Sequence, residues 1–265
     1  MTNQLLEAWR TIVPARDQKN GLLSPIFLLL TVVTGLVDAF SYLLLGHVFV
    51  ANMTGNVVFL GFAVAGAPGF AAWASILAIG TFVVGSLLGG RIAHHYESHR
   101  ARLLRAITIE AGLVCAAFVV ALVALSGTGL LSGSRSTPGT GTTAISGAIS
   151  GAGSSTFDTT AQAVLIALVG VGMGIQNATA RSIGVADLTT SVLTLTIVGI
   201  AADGRAAGGR DSRAGRRILS VLSIFAGALI GAALVTAHLG ALTLLLAAIL
   251  LGIVAVFCVR GTVSD

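Results

Sequence analysis

Charged residues are scarce in this chain. Lys, Arg, Asp and Glu make up 9% of its 265 residues, whereas soluble proteins carry about 25%. This scarcity excludes a soluble domain, and the long apolar runs that accompany it indicate an integral membrane protein. Apolar and polar residues do not alternate with a period of two, and Ala, Leu, Gly and Val dominate. The membrane-spanning elements are therefore predicted to be helices rather than strands of a barrel.

Cysteine is almost missing as well. Cys115 and Cys258 each lie in an apolar segment, which is typical of small buried side chains and not of a disulfide or a metal pair. The three histidines of "HHYESH" (94–99) lie in a basic segment without a suitable set of carboxylates, so no metal site is expected there. No phosphate-binding loop, nucleophile elbow or zinc-protease motif is found. We therefore expect no cofactor and no enzymatic activity.

Eight apolar segments follow a polar N-terminal stretch, residues 1–24, which lacks the features of a cleavable signal peptide. Six of them approach the ~20 residues that cross a bilayer as a helix. The segments at 51–66 and 187–202 would each be roughly 24 Å long, which is shorter than the ~30 Å hydrocarbon core. The eight segments are 25–45, 51–66, 71–90, 106–126, 161–180, 187–202, 218–236 and 240–259.

A stretch of mostly Gly, Ser and Thr divides the chain in two. Its composition, at residues 127–160, is typical of a flexible loop. The predicted organisation is a cytoplasmic N-terminal segment (1–24), a first membrane repeat (25–126), the outer loop, a second membrane repeat (161–259) and a C-terminal tail (260–265).

Three motifs recur in the same order in the two halves. "GLVDA" (35–39) matches "GIQNA" (174–178), and "ANMTGNV" (51–57) matches "ADLTTSV" (186–192). The third match is between two pairs of glycines with the small-xxx-small spacing that lets helices approach closely. These pairs are Gly85 with Gly89, and Gly227 with Gly231. The order of the matches predicts an internal repeat of four segments, although chance similarity in an apolar chain stays an alternative.

The positive charges predict the topology. Thirteen of the 15 Lys and Arg lie before residue 25, in 91–105, in 203–217 and at Arg260, and such residues favour the cytoplasm. All four regions lie on that side if the two short segments enter and leave the membrane on one face. The chain then has six spans and a cytoplasmic N-terminus, and three spans per half make the repeats inverted. Eight full spans, with one basic loop outside, stay the alternative.

Polar residues within the apolar segments are the candidate site, because such groups are costly at bilayer depth. Asp38 shares a helix face with Gly35, Tyr42 and Gly46. As an alternative to binding a solute, Asp38 would cap the next half of a broken helix or pair with Arg181.

The two short segments each begin with a polar motif. Asn52 and Asp187 are good N-cap residues, and a half-helix that starts within the membrane presents free N–H groups to a polar ligand. Simple helix capping is the alternative. Gly55 would allow close backbone approach, while Gln176 and Asn177 would form hydrogen bonds across helices. The predicted solute-binding residues are Asp38, Asn52, Thr54, Gly55, Asn56, Gln176, Asn177, Arg181, Asp187, Thr189 and Thr190.

The predicted ends of the apolar segments place two further polar residues near the membrane interfaces. His47 is expected near the outer interface with a solvated imidazole. Glu110 is expected near the inner interface, where it would reach lipid headgroups or a basic loop.

The stretch "GLVDAFSYLLLGHVFVANMTGNVVFLG", followed by "GMGIQNA" and "DLTTSVLTLTI", resembles the YoaK-like family of bacterial membrane proteins. The resemblance covers roughly residues 25 to 259, and its "D-A…F-x-A-N-M-T-G-N" signature is fairly specific. It implies a multi-pass protein of the bacterial inner membrane, and it implies no substrate or catalytic residue.

The expected fold is an all-α polytopic membrane protein with about six transmembrane helices, two short re-entrant or half-helices and two inverted pseudo-repeats. Paired short segments in inverted repeats point to a transporter's binding site. We therefore expect a small-solute transporter or exporter, in which Asp38 is the candidate carrier of a coupling proton. A non-transporting scaffold or sensor subunit is the alternative, and an intramembrane enzyme is less favoured. The expected partners are the lipid bilayer and a small solute, with no nucleic acid; a homo-oligomer stays open.

Overall fold

The computed structural model describes residues 23–127, 156–184, 193–202 and 214–260, and every regular element within these ranges is an α-helix. Each of the eight predicted apolar segments contains one helix. The two basic segments before the fourth and seventh helices extend them, because Arg and Leu are good helix formers, so these helices begin at His99 and Ala214 instead of 106 and 218. The helices are α1 (Leu23–Leu44), α2 (Met53–Val64), α3 (Ala72–His95), α4 (His99–Gly127), α5 (Thr159–Ile183), α6 (Leu193–Ala202), α7 (Ala214–Thr236) and α8 (Gly240–Val259).

Six helices in the described ranges are long and apolar enough to cross a membrane: α1, α3, α4, α5, α7 and α8. Their outward faces carry large apolar side chains, among them Leu87, Val123 and Phe225, each more than 60% exposed. Such faces suit lipid, so the chain is an integral membrane protein. By contrast, α2 has 12 residues, or about 18 Å of helix, which is too short to cross the ~30 Å core.

Helices α1 and α5 lie antiparallel to each other. Near the middle of α1, the side chain of Thr34 lies 3.0 Å from the amide of Gln176 on α5. Just beyond the end of α1, the carbonyl of Leu45 accepts a hydrogen bond from Gln162, which lies near the start of α5. Residues nearer the C-terminal end of α1 therefore contact residues nearer the N-terminal end of α5.

Glycines allow two pairs of parallel helices to touch backbone to backbone. On α3, a Cβ added at Gly85 would collide with the carbonyl of Val171 on α5, and one added at Gly89 would lie 2.8 Å from the carbonyl of Ile175. Helices α1 and α7 meet in the same way, because a Cβ at Gly227 would collide with the carbonyl of Val32. The predicted small-xxx-small contacts are therefore present.

The directions of α1, α3 and α5 determine at which end of the helix bundle the loops on the two sides of α2 lie. Because α3 runs parallel to α5, and α5 antiparallel to α1, helices α1 and α3 run in opposite directions. The loops on the two sides of α2 lie at the same end of the helix bundle, where His47 Nδ1 is 3.2 Å from the carbonyl oxygen of Gly69. The loop before α2 therefore contacts the loop after it.

The other end of the bundle carries the positive charge, and we call it the basic end. It contains the start of α4 and the end of α8, where the guanidinium of Arg100 donates to the carbonyls of Cys258 (2.7 Å) and Val259 (2.6 Å). The eight arginines of the described ranges all lie on the terminal turns at or near this end. They are Arg91, Arg100, Arg102, Arg105, Arg181, Arg216, Arg217 and Arg260.

Candidate functional site

Asp38 holds the chain segment that leads into α2. Its Oδ1 accepts hydrogen bonds from the backbone N–H of Val50 (3.1 Å) and of Ala51 (2.9 Å). Both donors belong to buried residues at the break between α1 and α2. A carboxylate is a strong acceptor for such N–H groups. The side chain therefore fixes the segment between α1 and α2, and its two donors precede Asn52, the N-cap residue of α2.

Asn56 fixes the same segment from the other side. Its Oδ1 accepts from the N–H of Phe49 at 2.8 Å, and its Nδ2 donates to the carbonyl of Phe49 at 2.6 Å. Asn56 is fully buried. The neighbouring Gly55 leaves room for the Phe49 ring, since an added Cβ would lie 2.7 Å from that ring. This close approach is made by an aromatic side chain of the protein itself.

His47 is not the freely solvated imidazole that the sequence predicted. Besides its hydrogen bond to Gly69, its ring lies edge-on to Tyr42, with the ring centroids 5.2 Å apart. It belongs to an aromatic cluster that joins the end of α1 to α2 and to the loop after α2. The cluster contains Tyr42, His47, Phe49, Phe59, Phe62 and Phe70. Stacked and edge-on rings stabilise such a junction.

Three other predicted site residues that the structure describes, Asn52, Thr54 and Arg181, lie at exposed positions. Asn52 occupies the N-cap position of α2 without a side-chain capping bond, and both Asn52 and Thr54 are exposed. Arg181 is exposed in the last turn of α5, far along the helix from the end of α1 that Asp38 approaches. Three predicted residues, Asp187, Thr189 and Thr190, lie outside the described residues, as does most of the predicted loop at 127–160.

A second group of polar side chains lies in the middle of the bundle, where α1, α4 and α5 meet. We call Thr34, Glu110 and Gln176 the central polar cluster. The three residues are at most 2% exposed. One end of the Gln176 amide lies 3.0 Å from Thr34 Oγ1, and the other end lies 2.8 Å from Glu110 Oε1. Gln176 therefore forms the hydrogen bond across helices that the sequence predicted.

Glu110 does not lie near a membrane interface, contrary to the sequence-based expectation. Because α4 begins at His99, Glu110 follows 11 residues later, about 16 Å into the helix at 1.5 Å per residue. Gly172 on α5 lies beside it, since an added Cβ there would be in ordinary van der Waals contact with Glu110 Cγ, at 3.4 Å. The signal that sequence reasoning missed is the continuation of the helix through the arginines before residue 106.

Asn177 forms a hydrogen bond within its own helix. Its Nδ2 donates to the carbonyl of Met173 on its own helix at 2.9 Å. Thr179, one turn beyond the central polar cluster, is 1% exposed, and its hydroxyl has no hydrogen-bond partner among the described residues. The buried polar surface of α5 thus extends from Gln176 towards the basic end.

Comparisons with known proteins show the family of this chain. No solved structure matches the chain. The UPF0700 transmembrane protein YoaK of Bacillus subtilis (strain 168) is 28% identical over 195 residues, which cover 71% of this chain and 68% of that protein. A family model described as "Protein of unknown function (DUF1275)" matches residues 26–257. The match includes all eight helices almost completely, and the chain therefore belongs to the DUF1275 family.

Proposed function

We propose that this protein is a small-solute transporter or exporter of the inner membrane, built from two inverted repeats, α1–α4 and α5–α8. The observation that carries the proposal is that α1 and α5, the first helices of the two halves, are antiparallel and enclose the central polar cluster. Secondary transporters commonly bind their substrate near the middle of the membrane, between inverted repeats.

The helix packing supports the repeat, because the contacts between helices occur in equivalent pairs. Helix α3 packs on α5 as α7 packs on α1, and α4 packs on α5 as α8 packs on α1. Helix α2 contacts α3 as α6 contacts α7, while α4 and α8 contact each other. Exchanging each helix for its counterpart in the other half leaves this pattern unchanged, as a two-fold axis requires.

The glycine contacts support the same symmetry at single residues. The sequence pairs Gly35 with Gly174, and Gly85 with Gly227. An added Cβ at Gly35 would lie 3.1 Å from the backbone of Gly227, and one at Gly174 would lie 2.9 Å from Gly85. Each contact is the counterpart of the other. In this proposal the basic end faces the cytoplasm, following the distribution of Lys and Arg, and α2 and α6 are re-entrant.

The solute site that we propose lies at the central polar cluster, with the helix break at Asp38 as its structural support on one side. The site has both an acceptor and a donor, because the amide of Gln176 carries each and Thr34 adds a hydroxyl. Buried polar groups of this kind suit a small polar solute. The proposal assigns no catalytic step and no cofactor to the chain.

A counterflow experiment tests this function. Purified protein in liposomes would be loaded with a mixture of amino acids, sugars, nucleosides and organic acids, and exchange would be followed by mass spectrometry. We expect exchange of one solute class with the natural chain and with Val164→Leu, a control on the outer face of α5, where Val164 is 40% exposed. Gln176→Leu should abolish that exchange. Exchange that survives Gln176→Leu would contradict the proposed site.

A non-transporting scaffold or sensor subunit is the second candidate. It is favoured by one observation, namely that the side chains of Asp38 and Asn56 form hydrogen bonds with the backbone of residues 49–51. This role predicts no exchange of any solute in the same liposomes. It also predicts a stable complex with a second copy or another membrane protein, which native mass spectrometry of the membrane extract would detect.

A further inference from the structure

Glu110 is a buried carboxyl group without a charged partner. It is fully buried, and Gln176 is the one residue in the described ranges that lies within hydrogen-bond distance of its oxygens. An isolated carboxylate in the interior of a membrane protein is costly, and such groups mark ion pathways and proton relays. The position therefore requires either a proton or a compensating ligand.

The charged groups of the neighbouring helices do not supply that compensation. On α4 itself, Arg100 binds the end of α8, and Arg102 donates to the carbonyl of Tyr96, whose ring lies 5.8 Å from Arg105. No hydrogen bond or ion pair in the described ranges joins Glu110 to a titratable residue of the packed helices. Those residues are Asp38 and Tyr42 on α1, Arg91, His94 and His95 on α3, Arg181 on α5 and Cys258 on α8.

The central polar cluster is complete when Glu110 carries a proton. The carboxylic acid then donates to the Gln176 amide oxygen across 2.8 Å. The amide N–H donates to Thr34 Oγ1 across 3.0 Å, and the Thr34 hydroxyl donates to the carbonyl of Leu30 across 3.0 Å. Each donor in this series has one acceptor, so the hydrogen bonds run in one direction from Glu110 to the backbone of α1.

The same atomic positions also serve the ionised carboxylate. If the amide of Gln176 turns over, its nitrogen donates to Glu110 Oε1 at 2.8 Å and to Oε2 at 3.3 Å, while its oxygen accepts from Thr34 Oγ1 at 3.0 Å. The amide oxygen and nitrogen occupy nearly equivalent positions, and a hydroxyl rotates to suit either neighbour. The two hydrogen bonds of the Gln176 amide therefore reverse without movement of a helix, while the Thr34 hydroxyl exchanges the Leu30 carbonyl for the Gln176 amide oxygen as its acceptor.

We propose that Glu110 is a proton-binding site, and that Gln176 and Thr34 form a reversible hydrogen-bond series that stabilises the carboxyl group in both protonation states. The proton would be exchanged with water on whichever side the bundle opens. The role of Glu110 as the carrier of a coupling proton rests on the transport function proposed above, whereas its role as a proton-binding site does not depend on transport. Asp38, the candidate from the sequence, is instead held by two backbone N–H groups.

Infrared difference spectroscopy tests the proton-binding site without a substrate. Purified protein in liposomes would be moved between mildly acidic and mildly alkaline buffer, in H2O and in D2O. We expect a carbonyl band of a buried carboxylic acid that is lost on deprotonation, is missing in Glu110→Gln and is retained in Asp38→Asn. Thr34→Val leaves the carboxyl in place and should shift the band. A band that is unchanged in Glu110→Gln and in Thr34→Val would overturn the proposal.

A transport measurement separates this inference from the proposed function. With any solute found by counterflow, the natural chain should accumulate that solute when a pH gradient is imposed, and Glu110→Gln should lose this accumulation. Full pH-driven accumulation in Glu110→Gln would overturn the coupling role and leave the transport function standing. Accumulation by the natural chain that depends on a Na⁺ gradient instead of a pH gradient would do the same. Absence of all exchange, with the infrared band intact, would refute transport and leave the proton-binding site standing.

Discussion

Removing the acceptor at Asp38 should destabilise the break between α1 and α2. In Asp38→Leu, the N–H groups of Val50 and Ala51 both lose their buried acceptor. Each unsatisfied donor costs about 1–3 kcal/mol, so the two together cost about 2–6 kcal/mol. At about 2–4 °C per kcal/mol for a large domain, the thermal midpoint in detergent should fall by at least about 4 °C.

Asp38→Asn is the matched control, because an amide oxygen still accepts both N–H groups. The thermal midpoint of Asp38→Asn should fall by less than half as much as that of Asp38→Leu, and this variant should keep any transport activity. Midpoints would be measured by the fluorescence of a thiol dye that reacts with the buried Cys258 on unfolding, in a Cys115→Ala background, and by size-exclusion chromatography after heating. Equal midpoints for the natural chain and Asp38→Leu would refute the reasoning, and equal losses in the two variants would show that charge, and not the acceptor, is essential.

Three further changes test the packing. Gly85→Ala forces a Cβ against the backbone of α5 and should lower the free energy of unfolding by about 1–3 kcal/mol. Gly90→Ala, the control, has open space around the added Cβ and should leave the free energy of unfolding unchanged. Equal thermal midpoints for the two variants would contradict the close crossing of α3 and α5. Asn56→Asp places a carboxylate oxygen against the carbonyl of Phe49 and should cost about 1–3 kcal/mol, visible as a lower midpoint that acidic buffer partly restores. Arg100→Gln removes a partly exposed clamp on α8 and should cost about 0.5–1.5 kcal/mol, with unchanged stability as the refuting result.

Much of the helical framework was predictable, because the length of an apolar run determines whether it can span a bilayer. The two glycine pairs also predicted close helix contacts. They did not predict that α3 packs on α5 and α7 on α1, since a small-xxx-small motif shows a contact face and not its partner. That information comes from the three-dimensional arrangement of the helices.

The candidate site was predicted in part. A polar residue before a helix break predicts a cap, and Asp38 forms hydrogen bonds to the residues that precede α2. Glu110 was assigned to the interface because the arginines at 100, 102 and 105 read as a loop. Helix propensity and the contact of Arg100 with the end of α8 keep these residues helical, which moves Glu110 into the interior of the helix bundle. A sequence pattern contains no information about such a long-range contact.

The inverted arrangement of the two halves is most directly tested by labelling two equivalent turns from opposite sides of the membrane. Glu97, in the turn between α3 and α4, and Leu239, in the turn between α7 and α8, are both exposed. Single Glu97→Cys and Leu239→Cys variants would be made in a background without the two natural cysteines. We expect a membrane-impermeant thiol reagent added to whole cells to label the variant at 239 and not the one at 97. Labelling of both positions from the same side would contradict the inverted repeats on which the proposed transport function depends.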